Sequence, residues 1–217
     1  MIIAHLVGGL GNQLFLYATA YALAKRYGYA VRFNFDWYNI YGKDHLEYQL
    51  HKLRLDYLEE KDKHRLDALV ITGYHQNPNN FIEYRNELTN MIKTSIKYPV
   101  LPKKTVAVHI RRNDYVQLGR NLEMEYYHKA LKKFKGFTPM VFTDDSKWAR
   151  GQNIGKVYQS IGVVEDMLSM STAEAFIIAN STYSWWSAYL SGKNRVIYPK
   201  ELLDSNINLG LKEWRKL

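Results

Sequence analysis

The chain has 217 residues, 47% of them hydrophobic and 24% charged, and a formal charge of +9. This is globular composition, with enough apolar mass for one large domain or two small ones. There is no cysteine, so disulfides, thiolate metal sites and a cysteine nucleophile are excluded.

The opening "MIIAHLVGG" has no basic residues ahead of its apolar ones and reads as a first strand, not a signal peptide. No apolar run reaches the roughly 18–20 residues of a membrane span. "IIAHL" (2–6) is a short buried strand ending in the glycine turn Gly8-Gly9-Leu10-Gly11. Residues 14–27 have helical spacing, with Gly28 as the C-cap, and "AVRFN" (30–34) is a second strand. The order strand, tight turn, helix, strand is a βαβ opening. Residues 37–67 mix helical and loop signals. "ALVITGY" (68–74) reads as a strand, 81–96 as an amphipathic helix, and "KYPVLPKK" (97–104) as a linker. Strands are then expected in "TVAVHIRR", "MVFTDD", "FIIAN" and, last, "RVIYP". Helices are expected in "EMEYYHKALKKF", "VVEDMLSMSTAE" and "STYSWWSAYLS". Two consecutive α/β halves, 1–100 and 101–217, suggest two Rossmann-like domains with ligands beyond the carboxyl ends of the strands.

The charge is uneven. The first 100 residues carry 12 bases against 10 acids, and the remainder carries 18 against 11. A basic half suits a phosphate-bearing ligand, an anionic membrane surface or nucleic acid. It also suits a solvated face, as "KALKKFKG" (129–136) reads. No nucleic-acid recognition motif is present. The 18 Tyr and 5 Trp suit clefts that stack sugars or bases, although Tyr also serves as a large core residue.

Four polar stretches follow strands. In the first, Gly8, Gly9 and Gly11 lack both the Gly-x-Gly-x-x-Gly spacing and the Lys-Ser/Thr of a P-loop. What remains is a permissive turn at a helix start, with Asn12 and Gln13 offering donors and acceptors to a hydroxyl-rich ligand. The alternative is a plain turn with Asn12 as the helix cap. In the second, "VAVHIRRNDY" (106–115), alternation puts His109 and Arg111 on one face and Val106, Val108 and Ile110 on the other. A planar, permanently charged guanidinium suits phosphate, and Asp114 is near enough to hold an Arg in place. Arg112 points the other way unless the strand has ended. The third, Thr143-Asp144-Asp145-Ser146, precedes a short helix. Its carboxylates suit a ribose or a base, or simply cap the helix. The adjacent acids lack the Asp-x-Asp spacing of metal-dependent sugar transferases. In the fourth, Asn180 to Trp186, Ser181 and Ser184 open a helix as a second anion cradle, and at least one of the two Trp packs in the core. Asn180-Ser181-Thr182 is a formal glycosylation sequon in a stretch that reads as buried.

In order and spacing these stretches resemble glycosyltransferase family 11, the GDP-fucose-dependent α-1,2-fucosyltransferases. The matching segments are Gly8–Ala18, His109–Tyr115, Thr143–Asp145 and Ile177–Trp186. Leu16 stands where the family usually has Gln, Asn113 where it has Gly, and Thr182 and Tyr183 where it has Ser and Phe. The segment between Asp36 and Pro99 is compressed relative to the family.

The resemblance implies an α/β, GT-B-like fold of two Rossmann-type lobes, with the active site in the cleft between them. Residues 1–100 would form the acceptor side and 101–217 the GDP-sugar side. It implies inverting, metal-independent transfer of L-fucose from GDP-β-L-fucose to a galactoside hydroxyl. Arg111 would hold the diphosphate, with His109, Arg112, Asp144, Asp145, Ser181 and Ser184 around the donor. Asp114 is the candidate base, or else a brace for Arg112. Gly9, Gly11, Asn12 and Gln13 would line the donor and acceptor cleft. The implied partners are a GDP-sugar and a galactose-containing glycan, with no cofactor and no nucleic acid. The implied location is the cytoplasm, at the surface of a membrane carrying lipid-linked acceptor. Another linkage, another GDP-sugar, and a non-catalytic sugar-nucleotide or glycan-binding module are the alternatives.

Overall fold

The structure is a computed structural model that describes residues 1–41, 47–55, 58–59 (backbone only), 68–202 and 209–217. The remainder of 37–67, a stretch that mixes helical and loop signals, lies outside the described residues. The chain divides into two compact units, Met1–Lys97 and Tyr98–Leu217.

The first unit contains β1 (Ile2–His5), α1 (Leu10–Tyr27), β2 (Val31–Asn34), α2 (Asp36–Tyr41), β3 (Leu58–Glu59), β4 (Leu69–Ile71) and α3 (Arg85–Thr94). Its strands are parallel, in the order β3-β2-β1-β4. Ile2 pairs with Val31 on one side and with Leu69 on the other, so β1 is central. A central parallel strand is covered on both faces, which is why 2–4 are all apolar and buried. α1 is buried along most of its first three turns, and its charged residues come at the end. Lys25 and Arg26 in the last turn suit the negative end of the helix dipole and pair with Glu87 and Glu83. Gly28 closes the helix at φ +67°, its N–H donating to the Ala24 carbonyl.

The second unit contains β5 (Thr105–Ile110), α4 (Asn113–Gln117), α5 (Met124–Leu131), β6 (Thr138–Thr143), α6 (Ser146–Gly151), β7 (Lys156–Val157), α7 (Val163–Met170), β8 (Ala175–Ile177), α8 (Thr182–Ser191), β9 (Val196–Tyr198) and β10 (Arg215–Lys216). The sheet is parallel, in the order β10-β9-β8-β5-β6-β7. All six residues of β5 are buried. Val106, Val108 and Ile110 pack with Val141, Ile177 and Ile197 against Tyr127 and Ala130 of α5 and Ala149 of α6. Both Trp185 and Trp186 are fully buried, and the Trp185 indole donates to the Leu209 carbonyl at 2.7 Å. β9 is not the last strand, because β10 adds beyond it. Two short polar-residue strands such as β7 and β10 carry no apolar run to announce them.

In each sheet the chain leaves the central strand in one direction and returns to its other side. The reversal lies between β1 and β4 in the first sheet and between β5 and β8 in the second. Carboxyl ends of strands at such a reversal diverge into a crevice. The glycine turn follows β1, and the His-Arg-Arg stretch follows β5.

Candidate active site

In the first unit the glycine turn is braced from within. Gly8 has φ +71°, and a Cβ there would sit 2.6 Å from the Asn12 side-chain nitrogen. Its carbonyl accepts from the Tyr38 hydroxyl at 2.8 Å and from the Gln13 amide at 3.0 Å. Gly9, not Asn12, is the N-cap of α1, and Gly11 is buried in the first helical turn. The Asn12 side-chain oxygen accepts from the Gln76 amide at 2.9 Å. Gln13 is fully buried. Its amide also donates to the Glu47 carbonyl at 3.0 Å, and its oxygen accepts from the backbone N–H groups of Gln49 and Leu50 at 2.9 and 3.0 Å. Two donors and two acceptors are thereby used up. Gln13 ties residues 47–50 to the turn and has nothing left for a hydroxyl-rich ligand.

In the second unit, β5 ends at Ile110, so Arg111 and Arg112 lie beyond the strand and their directions are set by ion pairs. The Arg111 guanidinium meets Asp114 at 2.7 Å and Asp144 at 2.9 Å. Arg112 donates its backbone N–H to the other Asp144 oxygen at 2.8 Å and its Nε to Asp145 at 3.2 Å. Its guanidinium lies 3.6 Å from the centre of the Trp148 ring. Asp145 also caps α6, accepting from the Trp148 N–H at 3.1 Å. The two acids therefore divide the roles foreseen for them: Asp145 caps the helix and Asp144 does not. Asp114 braces Arg111 rather than Arg112. Asn113 occupies the first turn of α4, and its φ is not positive.

His109 is buried on the side of β5 facing α8, its ring 5.4 Å from that of Tyr183. Among the described residues its Nδ1 has no hydrogen-bond partner. Burial, and then the positive charge of Arg111, push its pKa down to about 3, so the ring is neutral at ordinary pH. The Tyr183 hydroxyl donates to the Val163 carbonyl at 2.7 Å, fastening the start of α8 to the start of α7. Ser181 caps α8, accepting from the Tyr183 N–H at 3.3 Å. Ser184 is fully buried and donates to the Ser181 carbonyl at 3.3 Å, so it does not reach a surface where a donor could bind.

His109, Arg111, Arg112, Asp114, Asp144 and Asp145 are thus gathered at the ends of β5 and β6, with Ser181 at the end of β8. Trp148 and Tyr183 belong to the same group and were not singled out from the sequence. Trp148 stands three residues after the capping Asp145, the one local hint that it would meet Arg112. Tyr127 lies under this group. Its hydroxyl is buried without a partner among the described residues, and its pKa is raised by burial and by Asp144. Among the described residues, no three His, Asp or Glu side chains converge as a group that could hold a metal ion.

The fold is similar to that of NodZ α-1,6-fucosyltransferase soaked with GDP-fucose, at 13% identity and a TM-score of 0.51 over 92% of this chain and 94% of that one. It is also similar to the family 9 glycosyl transferase from Veillonella parvula DSM 2008, at 9% identity and a TM-score of 0.56 over 100% and 85%. These likenesses define the class: an α/β, GT-B-like glycosyltransferase fold. The chain belongs to glycosyl transferase family 11, whose profile matches residues 29–215.

Among its relatives, the alpha-1,2-colitosyltransferase of Escherichia coli is 25% identical, over 88% of this chain and 87% of that protein. The O-antigen biosynthesis glycosyltransferase WbnK of Escherichia coli is 36% identical over 40% of this chain. The galactoside 2-alpha-L-fucosyltransferase SEC1 of Bos taurus is 26% identical over 87% of it. The match spans only 34% of the length of WbnK and 64% of that of the bovine protein.

Proposed function

We propose that the chain moves L-fucose from GDP-β-L-fucose to a galactoside hydroxyl, in α-1,2 linkage and with inversion. The observation that carries this reading is Arg111, a guanidinium held at the carboxyl end of β5 beside the sheet's reversal, in a chain of family 11. In the reaction the acceptor oxygen forms a bond to C1 of the sugar, and the bond from C1 to the phosphate oxygen breaks. Negative charge builds on the departing diphosphate, and a guanidinium donating two hydrogen bonds offsets it.

Arg111 is shared between two carboxylates, so diphosphate must compete with Asp114 and Asp144 for it. A donor that draws Arg111 away releases Asp114, which then receives the acceptor's proton. His109, neutral and with a free ring nitrogen, contributes a hydrogen bond to the nucleotide rather than a charge. Arg112, pinned by Asp145 and Trp148, keeps Asp144 in place. The glycine turn, through Gly9, Gly11 and Asn12, belongs to the acceptor side in this reading. Metal-free transfer is part of the proposal.

A second donor is favoured by one observation: a relative matched over 88% of this chain and 87% of its own length carries the name colitosyltransferase. The test is GDP release from GDP-fucose and from GDP-colitose across a set of galactosides, with chelator present. Release from GDP-fucose well above the Arg111→Ala variant is expected, and product NMR assigns the linkage. Release from GDP-colitose alone replaces the sugar in the proposal. Release only with added divalent cation ends its metal-free part, and none from any donor ends it altogether.

A further inference from the structure

We propose that the amino-terminal edge of the second unit's sheet is a docking face for an anionic lipid surface. In a parallel sheet, the residues that precede each strand share one edge. Here Lys103 and Lys104 precede β5, Lys132, Lys133 and Lys135 precede β6, and Lys193 and Arg195 precede β9, and all are exposed. The strand starts are knitted together. Thr138 donates to the Lys104 carbonyl at 2.8 Å, Phe176 to the Arg195 carbonyl at 2.8 Å, and Glu174 to the Thr105 carbonyl at 3.1 Å.

Among the described residues, counter-charge on this edge comes to two acids, Glu213 ahead of β10, beside Lys212, and Glu174 ahead of β8. The Glu174 carboxylate is spent on the Lys104 backbone N–H at 3.2 Å. None of the seven bases is in an ion pair among the described residues, whereas Lys129, further up α5, is tied to Glu125 at 2.8 Å and is left out. The excess of bases seen in the second half of the sequence is therefore gathered largely on one edge.

Lipid fits this edge better than nucleic acid. Single-stranded nucleic acid is held by exposed aromatic rings interleaved with bases. The rings at this edge, Phe134 and Phe137, are both half-buried and packed on each other at 5.9 Å, with Phe137 lying 5.6 Å from the Arg195 guanidinium. The apolar residue offered to solvent is Val100, 76% exposed, just ahead of Lys103 and Lys104. An aliphatic side chain among lysines is suited to the headgroup region of a bilayer. Arg111 and its partners lie at the opposite ends of the same strands, so lipid on the amino edge leaves them uncovered.

The experiment is co-sedimentation of the full chain with phosphatidylcholine vesicles, with and without phosphatidylglycerol, at low and high salt. Binding is expected only with phosphatidylglycerol, and it should weaken at high salt. Each lysine near an anionic surface contributes about fivefold, so Lys132→Ala/Lys133→Ala/Lys135→Ala should weaken binding about 100-fold if the contributions add. Lys103→Ala/Lys104→Ala should weaken it about 25-fold on the same basis, while Lys147→Ala, at the other edge, should leave most of it. Circular dichroism checks that the variants fold. Absence of binding to phosphatidylglycerol vesicles at low salt overturns the proposal. So does a Lys147→Ala loss equal to the triple variant's, or tighter binding of wild type to single-stranded RNA than to vesicles. The outcome does not depend on which sugar is transferred.

Discussion

The two sheets present polar loops at equivalent reversals, and the loops are held by opposite means. After β1, neutral amides close on backbone: Gln13 spends its whole hydrogen-bonding capacity on Gly8, Glu47, Gln49 and Leu50. After β5, charged groups hold one another, Arg111 between Asp114 and Asp144 and Arg112 between Asp145 and Trp148. A buried amide network has one satisfied arrangement and fixes a shape. The ion-pair network can exchange a carboxylate for a phosphate at Arg111, at the cost of freeing buried Asp114 and Asp144 oxygens. The first loop is therefore read as scaffold and the second as the place where an anionic donor binds.

Arg111→Ala breaks the second loop. Loss of a preorganised donor to developing charge costs about 10²–10³-fold in kcat/KM. The melting temperature should fall as well, because the Asp114 and Asp144 oxygens that face Arg111 are buried and lose that partner. Undiminished GDP binding by this variant would instead make Arg111 scaffold. Gln13→Ala is the mirror experiment. It strands buried backbone groups and should lower stability by about 2–4 kcal/mol. For a chain of this size that is roughly 5–12 °C in Tm. Asn12→Ala, which loses the bond to Gln76, should cost only about 1 kcal/mol in urea melts. If the two losses were equal, the amide network would not be the brace described.

His109 gives the second loop a pH signature that the first lacks. Its folded pKa, about 3, lies below the ordinary 6.5, so between these values the unfolded chain binds more protons than the folded one. Stability from this group is thus complete above pH 6.5 and is lost as pH falls toward 3, with a slope of up to about 1.4 kcal/mol per pH unit. Urea midpoints taken down this range should fall more steeply for wild type than for His109→Gln. Parallel lines would mean that the imidazole reaches solvent.

The inner strands of the second unit were legible because a central parallel strand is largely apolar on both faces, as "VAV" in β5 and "AFI" in β8 are. That polar residues gather at the ends of β5, β6 and β8 was legible for the same topological reason. Which atoms pair was not. Asp144 reaches Arg111 from 33 residues away in sequence, and Gln13 reaches Leu50 across 37. No local spacing encodes such partners. Ser184 misled for a different reason: its place in the first turn of α8 suggests a cradle, but the helix rotates it into the core. Gln13 misled likewise, since a free amide and a saturated one look alike in sequence.

Asn113 tests the comparison at its finest grain. The glycine that the family resemblance sets at this position suggests a left-handed turn, and Asn a tolerated substitute. In the structure Asn113 starts α4 without positive φ, so nothing in its backbone calls for glycine. Asn113→Gly should then lose stability slightly, by less than about 1 kcal/mol, because glycine forfeits more conformational entropy on entering a helix. GDP release should stay within about twofold, since Arg111 is aimed by Asp114 and Asp144 and not by the turn. A gain in both stability and rate would show that the loop adopts a left-handed turn when donor is bound. The ion pairs around Arg111 would then describe only its resting arrangement.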